Sequence, residues 1–161
     1  VLETGFGGVL EFSVGEKNIY RLSENARLEI SIEKEVPDFY LAQGQMTGLS
    51  RQSFSAKKQY VIRTPAISAE VQGASFFVWS ENSHHTYFCV CNGVMNLKSL
   101  DSSAVSERIS AHRHAGRRFS RFGEETEIDR NPGMLYHSDE DLENLAIKIS
   151  EKINWNEAYR H

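Results

Sequence analysis

The chain has 161 residues, 40% hydrophobic and 25% charged, with a formal net charge of -4. That length can bury a sizeable core without disulfide support, and no apolar run approaches the roughly 20 residues needed to cross a bilayer. The acidic balance argues against a general binder of nucleic acid or anionic membrane, since both depend on excess Lys and Arg.

The first residues, Val1 to Gly8, have neither an initiator methionine nor the charged-then-apolar layout of a secretory signal. The sequence therefore reads as a processed fragment whose compartment is not legible from that end. Gly5, Gly7 and Gly8 precede a strand instead of leading from one into a helix, which removes the context of a phosphate-binding turn. Short alternating runs then dominate. Strands are predicted at 9–14, 19–22, 27–32, 60–63, 67–71, 75–79, 85–91 and 94–97, separated by turns rich in Gly, Asn and Ser. This pattern places the chain in the mainly β class, as a single β-sandwich or short β-roll.

From Asp101 to Pro132 the alternation weakens. Loops with one or two strands are expected there, anchored by Val105, Ile109, Phe119, Phe122 and Ile128. The segment from His112 to Arg121 is basic with an interleaved aromatic, and a solvated stretch balanced by acidic residues is the simplest reading. Ser138 and Asp141 then form a capping-box-like pair ahead of Leu142, Leu145, Ala146, Ile149 and Ile153. That spacing predicts one C-terminal amphipathic helix at about 139–153, with its apolar stripe on the β-body. With no repeat, low-complexity segment or composition break, residues 1–161 read as one domain.

The run from Tyr60 to Val78 resembles the signature of the FecR-type domain. It has an extended strand ending in Thr64-Pro65, and a second strand entering Val71-Gln72-Gly73-Ala74-Ser75-Phe76-Phe77-Val78. The stretch from Leu22 to Leu49, with Leu41-Ala42-Gln43-Gly44-Gln45, is similar to the strands that come earlier in that family. Cys91-Asn92-Gly93-Val94 resembles its strand-Gly-Val return, so the likeness covers roughly residues 18 to 100. It implies a non-enzymatic, β-rich domain of the periplasm whose partner is another protein of the cell envelope. In the best-known members this is the sensing half of a regulator that controls a sigma factor in iron uptake. The chain is also similar to a subset of FecR-like proteins carrying Thr-Tyr-x-Cys-x-Cys-x-Gly, a histidine in a polar segment, and His-Ser/Thr-Asp before a terminal helix. The matching positions here are Cys89, Cys91, His114 and His137.

The chemistry of those four residues stands on its own. In a strand, positions 89 and 91 point the same way and present two thiols on one surface. Two thiolates and two imidazoles make a complete tetrahedral set for zinc or iron, which asks for sulfurs about 3.8 Å apart. A disulfide between them would have to bend the strand. His137 precedes a helix N-terminus, whose positive dipole end favours a neutral ring with a free lone pair. Asp139 or Glu140 could orient a ligand ring.

Alternatives remain open at this point. Two core cysteines are the bland reading, a disulfide needs an oxidising compartment, and a Cys91–His114 nucleophile lacks any visible oxyanion hole. A Rieske-like iron–sulfur cluster is less favoured because Cys-x-His pairs are missing, and covalent haem because Cys-x-x-Cys-His is missing, while two histidines or Cys plus His could hold a non-covalent haem. His84 falls at a turn, and His161 ends the chain. His112 is the substitute ligand should His114 point away, and His85 shares the face of Cys89. The leading expectation is a metal-binding extracytoplasmic β-domain that acts as a metal or redox sensor or a regulatory module. A metal-free interaction module and an electron-transfer protein are the alternatives.

Overall fold

A computed structural model describes residues 1–33, 36–51, 60–101 and 104–160. Eleven strands in chain order precede one helix among the described residues. They are β1 (Leu2–Glu3), β2 (Leu10–Ser13), β3 (Asn18–Leu22), β4 (Arg27–Glu33), β5 (Val36–Ser50), β6 (Tyr60–Arg63), β7 (Ile67–Ser80), β8 (His85–Ser99), β9 (Ser106–Ala111), β10 (Ala115–Phe122), β11 (Glu125–Asp129) and α1 (Asp139–Lys148). The mainly β class with a single C-terminal helix is the one expected.

Three long strands, β5, β7 and β8, form the spine, and each changes neighbours along its length. The first part of β5 lies between β4 and the parallel β6; its second part lies between β3 and β7. Strand β8 pairs with β7 throughout, with β10 over 85–90, and with β9 over 93–98. One apolar cluster draws on nearly every strand, including Tyr20, Leu28, Phe39, Ile62, Phe76, Phe88, Met95, Ile109 and Phe119. The single sheet therefore curls around one interior. Helix α1 covers part of the opposite face, setting Leu145 and Ala146 against Ile19 and Leu49.

The segments 67–71 and 75–79 form one strand, and so do 85–91 and 94–97. The glycines that look like turn punctuation are bends inside strands. Gly73 (φ +89°) lies in the bulge that β7 carries between Val71 and Ala74, Gly93 (φ +124°) pairs with Ala74 beside it, and a second bulge leaves Cys91 of β8 without a register partner on β7 between Val90 and Asn92; together they bend two continuous strands. A Cβ on Gly93 would lie 2.5 Å from the Gly73 carbonyl oxygen, so the two backbones meet at the bend. Strand β5 escapes periodicity for a similar reason. Residues 36–50 carry no clean alternation and are legible only through the family resemblance; Pro37 lies at the start of the strand, Gly44 takes φ +90°, and Gly48 carries the ring of Phe76 on its bare face.

Residues 104–132 hold three strands instead of one or two, with Ile109 and Phe119 buried but Phe122 58% exposed. The helix stops at Lys148, five residues short of the expected end. Ser150 adopts φ +55°; its N–H donates to Ile147 O, and the N–H of Glu151 donates to Ala146 O. This is a Schellman closure with serine in the place glycine usually takes. Ile153 remains half-buried against the sheet from beyond the helix. The N-terminus follows expectation, with a reciprocal Ser138–Asp141 capping box.

The bend at Gly93 is open to a direct test. Gly93→Ala combines a backbone conformation that L-residues avoid with a backbone collision, so it should destabilise the fold by about 2 kcal/mol or more. Urea unfolding checks this, and an unchanged midpoint would contradict the bend.

Candidate metal centre

Alternation along β8 splits its side chains between two surfaces. Phe88 and Val90 enter the large interior, whereas Tyr87, Cys89 and Cys91 face the other way beside Phe77 and Leu142 of α1. Both cysteines are fully buried and unpaired by any disulfide, with their sulfurs 3.6 Å apart.

Sheet pairing delivers His114. Ala115 of β10 lies opposite Val90, and the His114 N–H donates to the Cys91 carbonyl at 2.9 Å, which seats the histidine against the thiol strand. Its φ of +38° is unusual for a non-glycine residue and holds the ring over the sulfurs. The ring Nδ1 is 3.7 Å from Cys89 Sγ, while Nε2 meets the carboxylate of Asp139, which also pairs with Arg113.

His137 arrives from the residue before the helix cap. Tyr87 reaches out from the thiol face, donating to Gly133 O at 2.8 Å and accepting from the Leu135 N–H at 3.2 Å, so it pins the incoming segment. Gly116 leaves room for that approach; a Cβ there would sit 2.8 Å from Gly133 O. The His137 ring stacks flat on Phe77, with centroids 4.5 Å apart and planes at 7°. Its Nδ1 lies 2.6 Å from Leu135 O, and its Nε2 is 3.3 Å from Cys91 Sγ and 3.2 Å from His114 Nδ1.

All four candidate ligand atoms lie within 4.8 Å of one another. A mononuclear tetrahedral site with metal–sulfur bonds near 2.3 Å and metal–nitrogen bonds near 2.05 Å has edges of about 3.8 Å (S–S), 3.6 Å (S–N) and 3.4 Å (N–N). The observed 3.6 Å (S–S), 3.7 and 3.3 Å (S–N) and 3.2 Å (N–N) each lie within about 0.3 Å of these lengths. Protons sharpen the point. A carbonyl only accepts, so His137 Nδ1 carries hydrogen; a carboxylate accepts from His114 Nε2. With neutral rings, two lone pairs then face each other at 3.2 Å, an arrangement that a cation between them, or a proton on one ring, relieves.

The electrostatics agree. The hydrogen bond from Cys91 holds the Cys89 thiol down at about 4, against the effect of burial and with help from both imidazoles. Burial and the neighbouring Cys89 push Cys91 well above the ordinary thiol range. Burial works to lower His114, but its bonds to Cys89 and Asp139 outweigh that and raise it. Burial likewise opposes the lowering of Asp139, which His114 and Arg113 nevertheless achieve.

The other described histidines lie outside the cluster. His84 contacts Ser83 Oγ, His85 contacts Ser120 Oγ at 3.0 Å despite sharing the Cys89 face, and His112 is exposed. His161 lies outside the described residues. Of the two expected orienting acids, Asp139 takes the role and Glu140 stays exposed. The basic segment is neutralised locally by Arg117–Glu107 and Arg118–Glu81 pairs, each at 2.6 Å. Sequence reasoning missed Tyr87, Phe77, the Leu135 carbonyl and Trp155, whose ring lies 5.3 Å from His114. Only Tyr87 carried a usable signal, its phase with Cys89 and Cys91.

The FecR protein family matches residues 1–95. The chain belongs to that family. The FecR match includes both thiols and ends before His114 and His137, so the imidazole half of the cluster comes from the part of the chain beyond it. Two crystal structures, at 1.65 and 2.50 Å resolution and each titled a putative anti-sigma factor from Parabacteroides distasonis, share this fold. Both have a TM-score of 0.64, with 14% and 13% identity, over 80% of this chain. The chain spans 58% of the length of each. No curated protein matches it significantly. Among the described residues, no helix is long and apolar enough to cross a membrane.

The asymmetry of the thiols has a spectroscopic consequence. In metal-free protein, thiolate absorbance near 240 nm should persist for one cysteine down to about pH 4, with the second thiol still protonated at pH 9. Both thiols titrating together in the ordinary range would contradict this asymmetry.

Proposed function

We propose that this FecR-family chain is a regulatory domain of the bacterial periplasm that holds one metal ion, zinc or iron, on Cys89, Cys91, His114 and His137. The observation that carries this reading is the convergence of two thiols and two inward-facing imidazole nitrogens. Each ring is oriented from behind by a separate acceptor. The same four positions support placing the chain in the Cys-x-Cys plus His subset.

A mononuclear ion fits this set better than larger groups. An iron–sulfur cluster with two cysteines and two histidines places the sulfurs and the nitrogens on different irons, which the 3.3 Å Cys91–His137 edge does not accommodate. Haem needs its axial ligands on opposite sides of a broad ring, whereas these rings are in near contact. With four protein ligands the centre is closed, as in structural or sensory sites, and leaves no position for substrate.

The ion joins β8, the β9–β10 turn and the entry to α1, so residues 1–161 act as one unit whose C-terminal part is clipped to the β-body. Oxidation of the two thiolates by a peroxide-class two-electron oxidant, which bends β8 if the sulfurs close to a disulfide, would remove half the ligands, release the ion and free the helix entry. That gives a switch on redox state. Likeness to a structure titled as an anti-sigma factor supports an output through contact with another envelope protein in a sigma-factor circuit.

A metal-free interaction module is the competing reading. Its specific support is the raised His114, because a proton on that ring could bridge the two inward nitrogens in place of an ion. Elemental analysis separates the two. Chelator-free protein should carry close to one equivalent of zinc or iron, and Cys89→Ser should fall below about a tenth of an equivalent while His84→Ala stays loaded. Stripping the ion should lower Tm by about 5–10 °C at ligand concentrations near a hundred times Kd. A metal-free wild type, or equal loading in both variants, would refute the assignment.

A further inference from the structure

Beyond Ser150 the chain leaves the helix and runs back across the thiol face as a strap, residues 150–160, tied down at three points. The side-chain amide nitrogen of buried Asn92, one residue past Cys91, lies 2.9 Å from Asn154 O, 2.8 Å from Glu157 O and 3.0 Å from His112 O, so its two N–H groups are shared among three carbonyls. One amide thus holds both the strap and the turn that presents His114. The Trp155 ring lies 5.3 Å from the His114 ring at 24°, and its indole N–H donates to Glu143 of α1 at 2.8 Å. Farther along, Tyr159 lies against the buried Arg51, whose guanidinium is 3.9 Å from the ring centroid, and donates to Arg51 O at 3.2 Å.

We propose that this strap is the cover of the metal centre and is coupled to the ion, with Asn92 and Trp155 as the positioning residues that carry the coupling. The proposal rests on the metal reading above. An ion fixes the His114 ring, and a fixed ring is a better platform for Trp155. A seated Trp155 keeps water from the ligands and so favours the bound ion. Such coupling is reciprocal: the factor by which the ion strengthens closure of the strap is the largest factor by which an open strap can weaken the ion. Metal occupancy would then be read out as exposure or retention of the C-terminal segment, a signal a partner protein can detect.

The test uses the full chain with zinc as the probe. Amide hydrogen exchange at residues 153–157 should slow by about tenfold or more on zinc loading, and Trp155→Ala should weaken zinc binding by about tenfold in a chelator competition. The cobalt(II)-loaded variant should keep the visible absorption of a tetrahedral sulfur–nitrogen site, showing that the ligands remain in place. Zinc uptake with unchanged exchange in the strap, or wild-type affinity in Trp155→Ala, overturns the coupling and leaves the metal reading standing. Failure of the wild type to take up zinc or iron overturns both. The exchange measurement on wild type needs no variant, so the result does not depend on whether Asn92→Ala folds.

Discussion

The two-residue period of β8 is the constraint on which the rest depends. Cys89 and Cys91 share a surface because the strand is extended through 85–91, with its other face committed to Phe88 and Val90 in the interior. A slip of one residue would turn the thiols into the interior and expose two large apolar side chains, so burial enforces the register that pairs the sulfurs. The bulge at Cys91 and the bend at Gly93 end this arrangement, and from Gly93 onward the second half of β8 pairs with β9. Strand β10 then inherits the same register and brings His114 opposite Cys91.

The second histidine reaches the cluster by a different route. No sheet hydrogen bonds carry His137; the segment before it hangs on the Tyr87 hydroxyl, the ring rests on Phe77, and the helix begins one residue later at Ser138. Asp139 serves both ends of this join. It sits in the first turn of the helix, where an anion is favoured by the dipole, and it accepts from the ring of His114. Helix position and ligand orientation are thus one problem with one solution, and disturbing either disturbs the other.

Much of the site was legible because its logic is local. Same-face thiols follow from strand periodicity, and the position of His137 follows from a capping box visible in the sequence. His114 was reachable only through resemblance, since nothing near it announces that β10 will pair with β8; that pairing is a long-range choice made by burial of Phe119 and Ile109. The long strands were harder. Gly73 and Gly93 read as turns because a bent or bulged strand and a turn use the same residue for the same conformational reason, and only the pairing of neighbours distinguishes them. The early helix stop was hidden because serine, not glycine, takes the left-handed position. The strap has no periodicity at all, being held by single contacts from Asn92, Trp155 and Tyr159.

The central claim is that one ion sits among two sulfurs and two ring nitrogens. X-ray absorption at the edge of the metal carried by the purified protein tests it most directly. The account predicts two sulfur scatterers at about 2.3 Å and two nitrogens at about 2.0–2.1 Å, with imidazole outer-shell features. A first shell of oxygen and nitrogen alone, or a metal–metal scatterer at short range, would contradict it.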